Sequence, residues 1–194
     1  MKFTDCLRTL PVLALVLAGS TSIYASELAT ATMLSTQLNA TTWEYDLTLN
    51  DTGTTNVGTF WFSWVPGEDF MPTVPTDITS AAGWTEIVTG SGDATDGSAI
   101  QWVAGPGAAL TAGESVTGFS FESTTSPATM AGLAPSHPTE PILTSFVYSG
   151  APFSDPGLDF QVQQVAAAPE PGSIALGLIG GSALFAALLR RKVS

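Results

Sequence analysis

The eight residues from Trp43 to Asn50 constrain the fold more than any other stretch, because Trp43, Tyr45, Leu47 and Leu49 alternate with Glu44, Asp46, Thr48 and Asn50. A period of two sends successive side chains to opposite faces, so the segment reads as a strand with one buried face. Asn50-Asp51-Thr52-Gly53 follows it with turn chemistry. The next run, Gly58 to Val65, puts Phe60, Phe62 and Trp64 on one expected face and Trp61, Ser63 and Val65 on the other. Further expected strands are Leu28 to Leu34, Trp84 to Thr89, Ala99 to Ala104, Ser115 to Ser123, Ser145 to Ser149 and Leu158 to Val165. Pro66-Gly67, Gly90-Ser91-Gly92-Asp93, Gly105-Pro106-Gly107 and Asp155-Pro156-Gly157 punctuate them. Eight short strands with no stretch of helical period predict an all-β domain, an antiparallel β-sandwich or related barrel.

Two connections are long for such a domain. Gly67 to Gly83 and Thr124 to Thr144 are rich in proline, and segments of that length are either functional or packed over an end of the sandwich. The core has no covalent help. Cys6 is the only cysteine, and it precedes the β region, so the domain can form no internal disulfide and no thiolate metal site.

Charge separates the β region from its flanks. All 5 Lys and Arg residues lie before residue 9 or after residue 189, whereas 15 of the 17 acids, all but Asp5 and Glu170, lie between residues 26 and 168. A domain with carboxylates and no Lys or Arg cannot neutralise phosphates, which excludes nucleic acid as a partner and disfavours phosphate-bearing cofactors. No cofactor is expected. The same imbalance predicts few ion pairs and carboxylate pKa values raised by mutual repulsion, so that stability should rise as pH falls toward about 4.

The flanks read as targeting segments. Residues 1–25 carry Lys2 and Arg8, an apolar stretch from Leu10 to Ala18, and Ile23-Tyr24-Ala25, a signal peptide with cleavage expected after Ala25 by signal peptidase. Cleavage after Ser20 is a poorer alternative. Leu17-Ala18-Gly19-Ser20 is similar to a lipoprotein box, but Ser20 replaces the cysteine that would be acylated. At the other end, Pro169-Glu170-Pro171 precedes an uncharged run from Gly172 to Leu189 and then Arg190-Arg191-Lys192. Eighteen residues at about 1.5 Å each give a transmembrane helix of roughly 27 Å, a minimal span of a bilayer core. The basic triplet holds the C-terminus cytoplasmic and places the β domain outside.

Tripeptide, span and basic end, in that order over residues 169–194, resemble the PEP-CTERM sorting signal. The resemblance implies that an exosortase-type membrane protease recognises Pro169, Glu170 and Pro171 and removes the tail, leaving the domain at the cell surface or in an extracellular exopolysaccharide matrix. A permanent single-span anchor is the alternative. Within the domain, residues 26–168, Leu110-Thr111-Ala112-Gly113-Glu114-Ser115 resembles the turn and strand of bacterial surface Ig-like modules, which implies an Ig-like sandwich.

Chemistry-bearing residues are few. His137, the only histidine, stands in Ser136-His137-Pro138, with no Gly-x-Ser-x-Gly elbow to supply a nucleophile. No spacing singles out a glycosidase pair among the carboxylates. Asp93-Ala94-Thr95-Asp96-Gly97 does not match the twelve-residue EF-hand loop, so a plain turn is expected there and no metal. Trp61 is the candidate ligand-binding ring: it falls opposite Phe60, Phe62 and Trp64, where a flat indole could stack on a sugar, and core packing is the competing reading. Trp43, Trp64, Trp84 and Trp102 are expected in the core. These features predict a noncatalytic exported surface or matrix protein, structural or adhesive in association with exopolysaccharide; the alternative is a carbohydrate-binding module or weak carbohydrate-active enzyme at the same place.

Overall fold

A computed structural model describes residues 28–165 except residue 94. The signal segment with Ala25, the tripeptide Pro169 to Pro171, the run 172–189 and the triplet Arg190 to Lys192 lie outside the described residues. No described helix is long and apolar enough to cross a membrane.

The described chain is mostly β. In order it forms β1 (Ala29–Gln37), β2 (Trp43–Asp51), β3 (Thr59–Phe62), β4 (Trp64–Val65), β5 (Glu68–Asp69), β6 (Thr76–Thr79), β7 (Trp84–Gly90), β8 (Ser98–Ala104), β9 (Ser115–Ser123), α1 (Pro127–Met130), β10 (Thr144–Tyr148), β11 (Leu158–Gln161) and β12 (Gln163–Val165). Two five-stranded sheets run in the orders β12-β1-β2-β9-β6 and β11-β10-β3-β8-β7, and β4 and β5 make a small hairpin. The named pairs are antiparallel except β1 with β12, which run parallel, so the expected wholly antiparallel sandwich is corrected at that edge.

The alternation read in β2 fills the space between the sheets. Tyr45, Leu47 and Leu49 are buried and meet Phe60, Phe62, Ile100, Trp102, Phe119 and Phe121 in one core. Phe60, Trp102 and Phe119 form a ring triangle with centroids 5.1–5.8 Å apart. Each such pair adds about 0.5–1.5 kcal/mol beyond its area burial. The Tyr45 hydroxyl, deep in this core, donates to the Thr125 carbonyl at 2.5 Å.

Three local departures shape the sandwich. Between Leu47 and Thr48 the register of β2 on β9 slips by one residue, and Gly118, at φ +97, is the extra one. A left-handed bulge residue of this kind carries little steric cost only as glycine. The expected strand from Leu158 to Val165 is two strands: buried Val162 carries the chain from one sheet to the other, its N–H bonded to the Leu143 carbonyl at 3.0 Å. Both long connections pack against the core, through Phe70 and Met71 in one and Met130, Ala134, Ile142 and Leu143 in the other. The second also contains α1, where Ser126 accepts a hydrogen bond from the Thr129 N–H and Pro127 opens the helix.

Candidate functional site

The run from Gly58 to Val65 does not alternate to its end. Strand β3 stops at Phe62, Ser63 takes φ +61, and the chain re-enters extended structure at Trp64. The Ser63 N–H is held by the Ser145 Oγ at 3.2 Å, and its carbonyl accepts from the Phe70 N–H at 3.0 Å. One left-handed residue reverses the parity. Trp64 therefore lies not with Phe60 and Phe62 in the main core, as the alternation implied, but against Trp61 on the outer face of the sheet.

The two indoles stack with centroids 3.6 Å apart and planes 5° from parallel. Phe146 stands edge-on to Trp64 at 5.6 Å, and Tyr148 lies 5.0 Å from Phe146. Phe153, at φ +63, contacts Trp61, Trp64 and Tyr148 at 5.9, 6.0 and 5.5 Å. Its loop is anchored by Asp155, which accepts from the Ser149 N–H at 2.9 Å and the Gly157 N–H at 2.7 Å. Trp61 is only 6 % exposed and Trp64 4 %, whereas Phe153 is 65 % exposed. Trp61 is thus off the main core, as its parity indicated, yet roofed by its neighbours. Its Nε1–H is buried with no hydrogen-bond partner among the described residues.

Register extends this cluster across the sheet. Asp159 on β11 faces Phe146 on β10, Phe146 faces Trp61 on β3, Trp61 faces buried Gln101 on β8, and Gln101 faces exposed Ile87 on β7. The face offers the Phe153 ring to solvent over the buried indoles and the buried Gln101 amide, with the Asp159 carboxylate exposed at one margin. That chemistry suits stacking and hydrogen bonding.

The remaining sequence candidates lie elsewhere. His137 Nδ1 is 3.3 Å from Glu68 Oε2, its ring is edge-on to Phe70 at 5.5 Å, and neighbouring Ser136 donates to the Asp69 carbonyl at 3.2 Å. This clasp fastens the second long connection to β5. In the Asp93 loop, Oδ1 accepts from the Thr95 N–H, the Thr95 hydroxyl and the Asp96 N–H, each at 2.8 Å, which is the bonding of a turn. These bonds hold the Asp93 carboxyl down at about 2. No group of three or more His, Cys, Asp or Glu side chains placed to hold a metal ion occurs among the described residues.

The phenylalanines and tyrosine of the cluster escaped the sequence reading. Phe146 and Tyr148 carried a signal, alternation in the expected strand Ser145 to Ser149; Phe153, in a turn, carried none.

The fold and face together define an all-β sandwich with a roofed aromatic cluster on one outer surface. No family model and no curated protein sequence matches the chain. Among solved structures, it is similar to a GH20 exo-β-N-acetylglucosaminidase from Vibrio harveyi, at 13 % identity and a TM-score of 0.40 for an inactive mutant and 0.41 for the complex with N-acetylglucosamine. That likeness covers 75 % of this chain but only 19 % of the enzyme. It is also similar to a CBM3 of Hungateiclostridium clariflavum, at 14 % identity and a TM-score of 0.36, over 64 % of this chain and 95 % of that one. Similarity this low transfers neither ligand nor activity.

Proposed function

We propose that the chain is an exported, noncatalytic protein with an Ig-like sandwich, sorted by an exosortase-type protease to the cell surface or its polymer matrix, where it acts as a structural or adhesive component. The observation that carries this reading is the partition of charge. Every Lys and Arg sits in one of the two terminal segments read as targeting signals, and the domain between them keeps 15 carboxylates and none of those cations. A polyanionic surface suits a hydrated, neutral or cation-bridged polymer and repels nucleic acid. Signal peptidase would act after Ala25, and Pro169-Glu170-Pro171 would be the exosortase recognition segment, with Arg190, Arg191 and Lys192 held cytoplasmic until processing.

Fractionation of producing cells tests it. The wild-type chain is expected in the surface or matrix fraction, and a variant with Pro169, Glu170 and Pro171 all changed to Ala is expected to stay in the inner membrane. Identical distributions, or a cytosolic wild type, would overturn the sorting.

The second reading, a carbohydrate-binding module, is favoured by one feature: Phe153 lies exposed against the Trp61–Trp64 stack, whose Trp61 N–H has no partner among the described residues. Binding of the exported protein to the host's own exopolysaccharide separates the two. Saturable affinity lost in Phe153→Ala and Trp61→Ala supports the module, and hydrolysis of the polymer would refute a noncatalytic role.

A further inference from the structure

One side of the sandwich is closed and the other is open. On the closed side the chain itself crosses from β11 through Val162 to β12, joining the sheet edges covalently. On the open side lie β6 and β7. Strand β6 is short, its pairing with β9 shifts between Thr76 and Thr79, and Asp77 within it takes φ +46, so its edge is distorted. Strand β7 differs: all seven residues from Trp84 to Gly90 pair in unbroken register with β8, only the last, Gly90, is left-handed (φ +73), and among the described residues no second strand covers its other edge. It has no lysine, proline or bulge of the kind that blunts exposed edges. Ile87 is 55 % exposed and Val88 37 %.

This edge can pair with itself without setting like charges directly opposite. About a two-fold axis through Ile87, antiparallel pairing sets Trp84 against Gly90, Thr85 against Thr89, Glu86 against Val88 and Ile87 against Ile87 of the second copy. No carboxylate then faces another. Parallel in-register pairing would oppose Glu86 to Glu86, a like-charge contact that destabilises a sheet. We infer that β7 is a dimerisation edge, occupied by β7 of a second copy of this chain in the antiparallel register centred on Ile87.

The pairing merges two five-stranded sheets into one of ten and supplies backbone partners to the middle of the open ladder, at Glu86 and Val88, while the Trp84 N–H at its start already donates to the Ala81 carbonyl at 2.9 Å. A two-fold interface uses its own surface up, so the assembly stops at a dimer and does not grow into fibres. For a matrix protein this doubles the contacts per particle. The inference stands on the edge geometry and holds whether or not the chain is sorted as proposed. Because the paired domains are acidic and hold no Lys or Arg, added salt screens their repulsion and tightens association.

Sedimentation equilibrium of the exported protein tests this across low and moderate salt. The expected result is a reversible monomer–dimer equilibrium that tightens with salt. Ile87→Lys opposes two lysines on the axis and is expected to weaken the dimer by about tenfold. Val88→Lys sets a lysine against Glu86 of the other copy at two symmetric places and is expected to tighten it by about fivefold. Generic stickiness would make both substitutions weaken association, and that outcome overturns the register. Monomers throughout, or open-ended polymers, overturn the dimer. Amide exchange of residues 84–90 in the wild-type protein gives a readout that needs no variant: protection should grow with protein concentration, and concentration-independent exchange would contradict the pairing.

Discussion

Trp61 and Trp64 stack face to face at 3.6 Å because the residue between Phe62 and Trp64 is left-handed, and this contact builds a second, smaller core on the outside of the sandwich. Truncating either ring leaves the other uncovered. Trp61→Ala and Trp64→Ala are each expected to cost about 3–5 kcal/mol. Because the rings share one contact, the double variant should cost less than the sum, by about 0.5–3 kcal/mol. Urea unfolding of the four proteins measures the coupling; strict additivity would mean that the rings do not support each other.

Ser63 stores strain at the start of this cluster. A non-glycine residue at φ +61 costs about 1–2 kcal/mol, and its buried Oγ has no hydrogen-bond partner among the described residues. Ser63→Gly relieves both at the expense of about 0.5–1 kcal/mol of added chain entropy, so a net gain of about 1 kcal/mol is expected. Ser63→Val should lose stability instead. A thermal melt of the pair checks the sign.

Gly157 is fixed by the same cluster. It sits at φ +62, and a Cβ there would come 2.1 Å from Phe146 Cε1 and 2.7 Å from the Val147 carbonyl oxygen. Gly157→Ala should cost about 2–4 kcal/mol from backbone strain and overpacking together, whereas Gly67→Ala, also at positive φ (+93) but in open space, should cost only the strain, about 1–2 kcal/mol.

Acidification should stabilise the domain before it destabilises it. Burial raises the carboxyls of Asp51 and Asp69 above their ordinary 3.8; a backbone bond to Asp51, and Thr89 and His137 at Asp69, oppose the shift, while Asp96 adds to it at Asp69. Burial, ahead of the mutual repulsion expected from composition, is thus the larger cause. For both groups the folded state binds the proton more tightly, so stability grows as pH falls through the raised values toward 3.8. Asp93 has the opposite sign: held at about 2, it contributes stability above 3.8 that is lost as pH falls toward 2. Melting temperature should therefore climb as pH falls through the raised values of Asp51 and Asp69 toward about 4 and then decline. Asp51→Asn keeps the acceptor for the Gly53 N–H and removes the buried charge, so it should melt higher at neutral pH and show a shallower climb.

Most strands were legible because their apolar residues keep period two. Tyr45, Leu47 and Leu49 appear in the core where alternation put them, and β9 spans the residues expected. What escaped was set by single backbone conformations. Nothing in Phe62-Ser63-Trp64 marks Ser63 as left-handed, so alternation places Trp64 on the face opposite the one it occupies. Val162 keeps the apolar rhythm of Leu158 to Val165 while the chain changes sheets, which hid the break between β11 and β12. Phe70, Met71, Met130 and Ile142 are buried anchors of loops, and a loop has no period by which to recognise them.

On the proposed function, the chain is carried out of the cell between two removable segments that hold all its Lys and Arg. Mass measurement of the intact protein recovered from the producing cells decides it. The expected product begins at Ser26, ends within or just before Pro169-Glu170-Pro171 and sits outside the inner membrane. A product that still carries Lys2 in the cytosol, or that keeps Arg190 in the inner membrane, would contradict it.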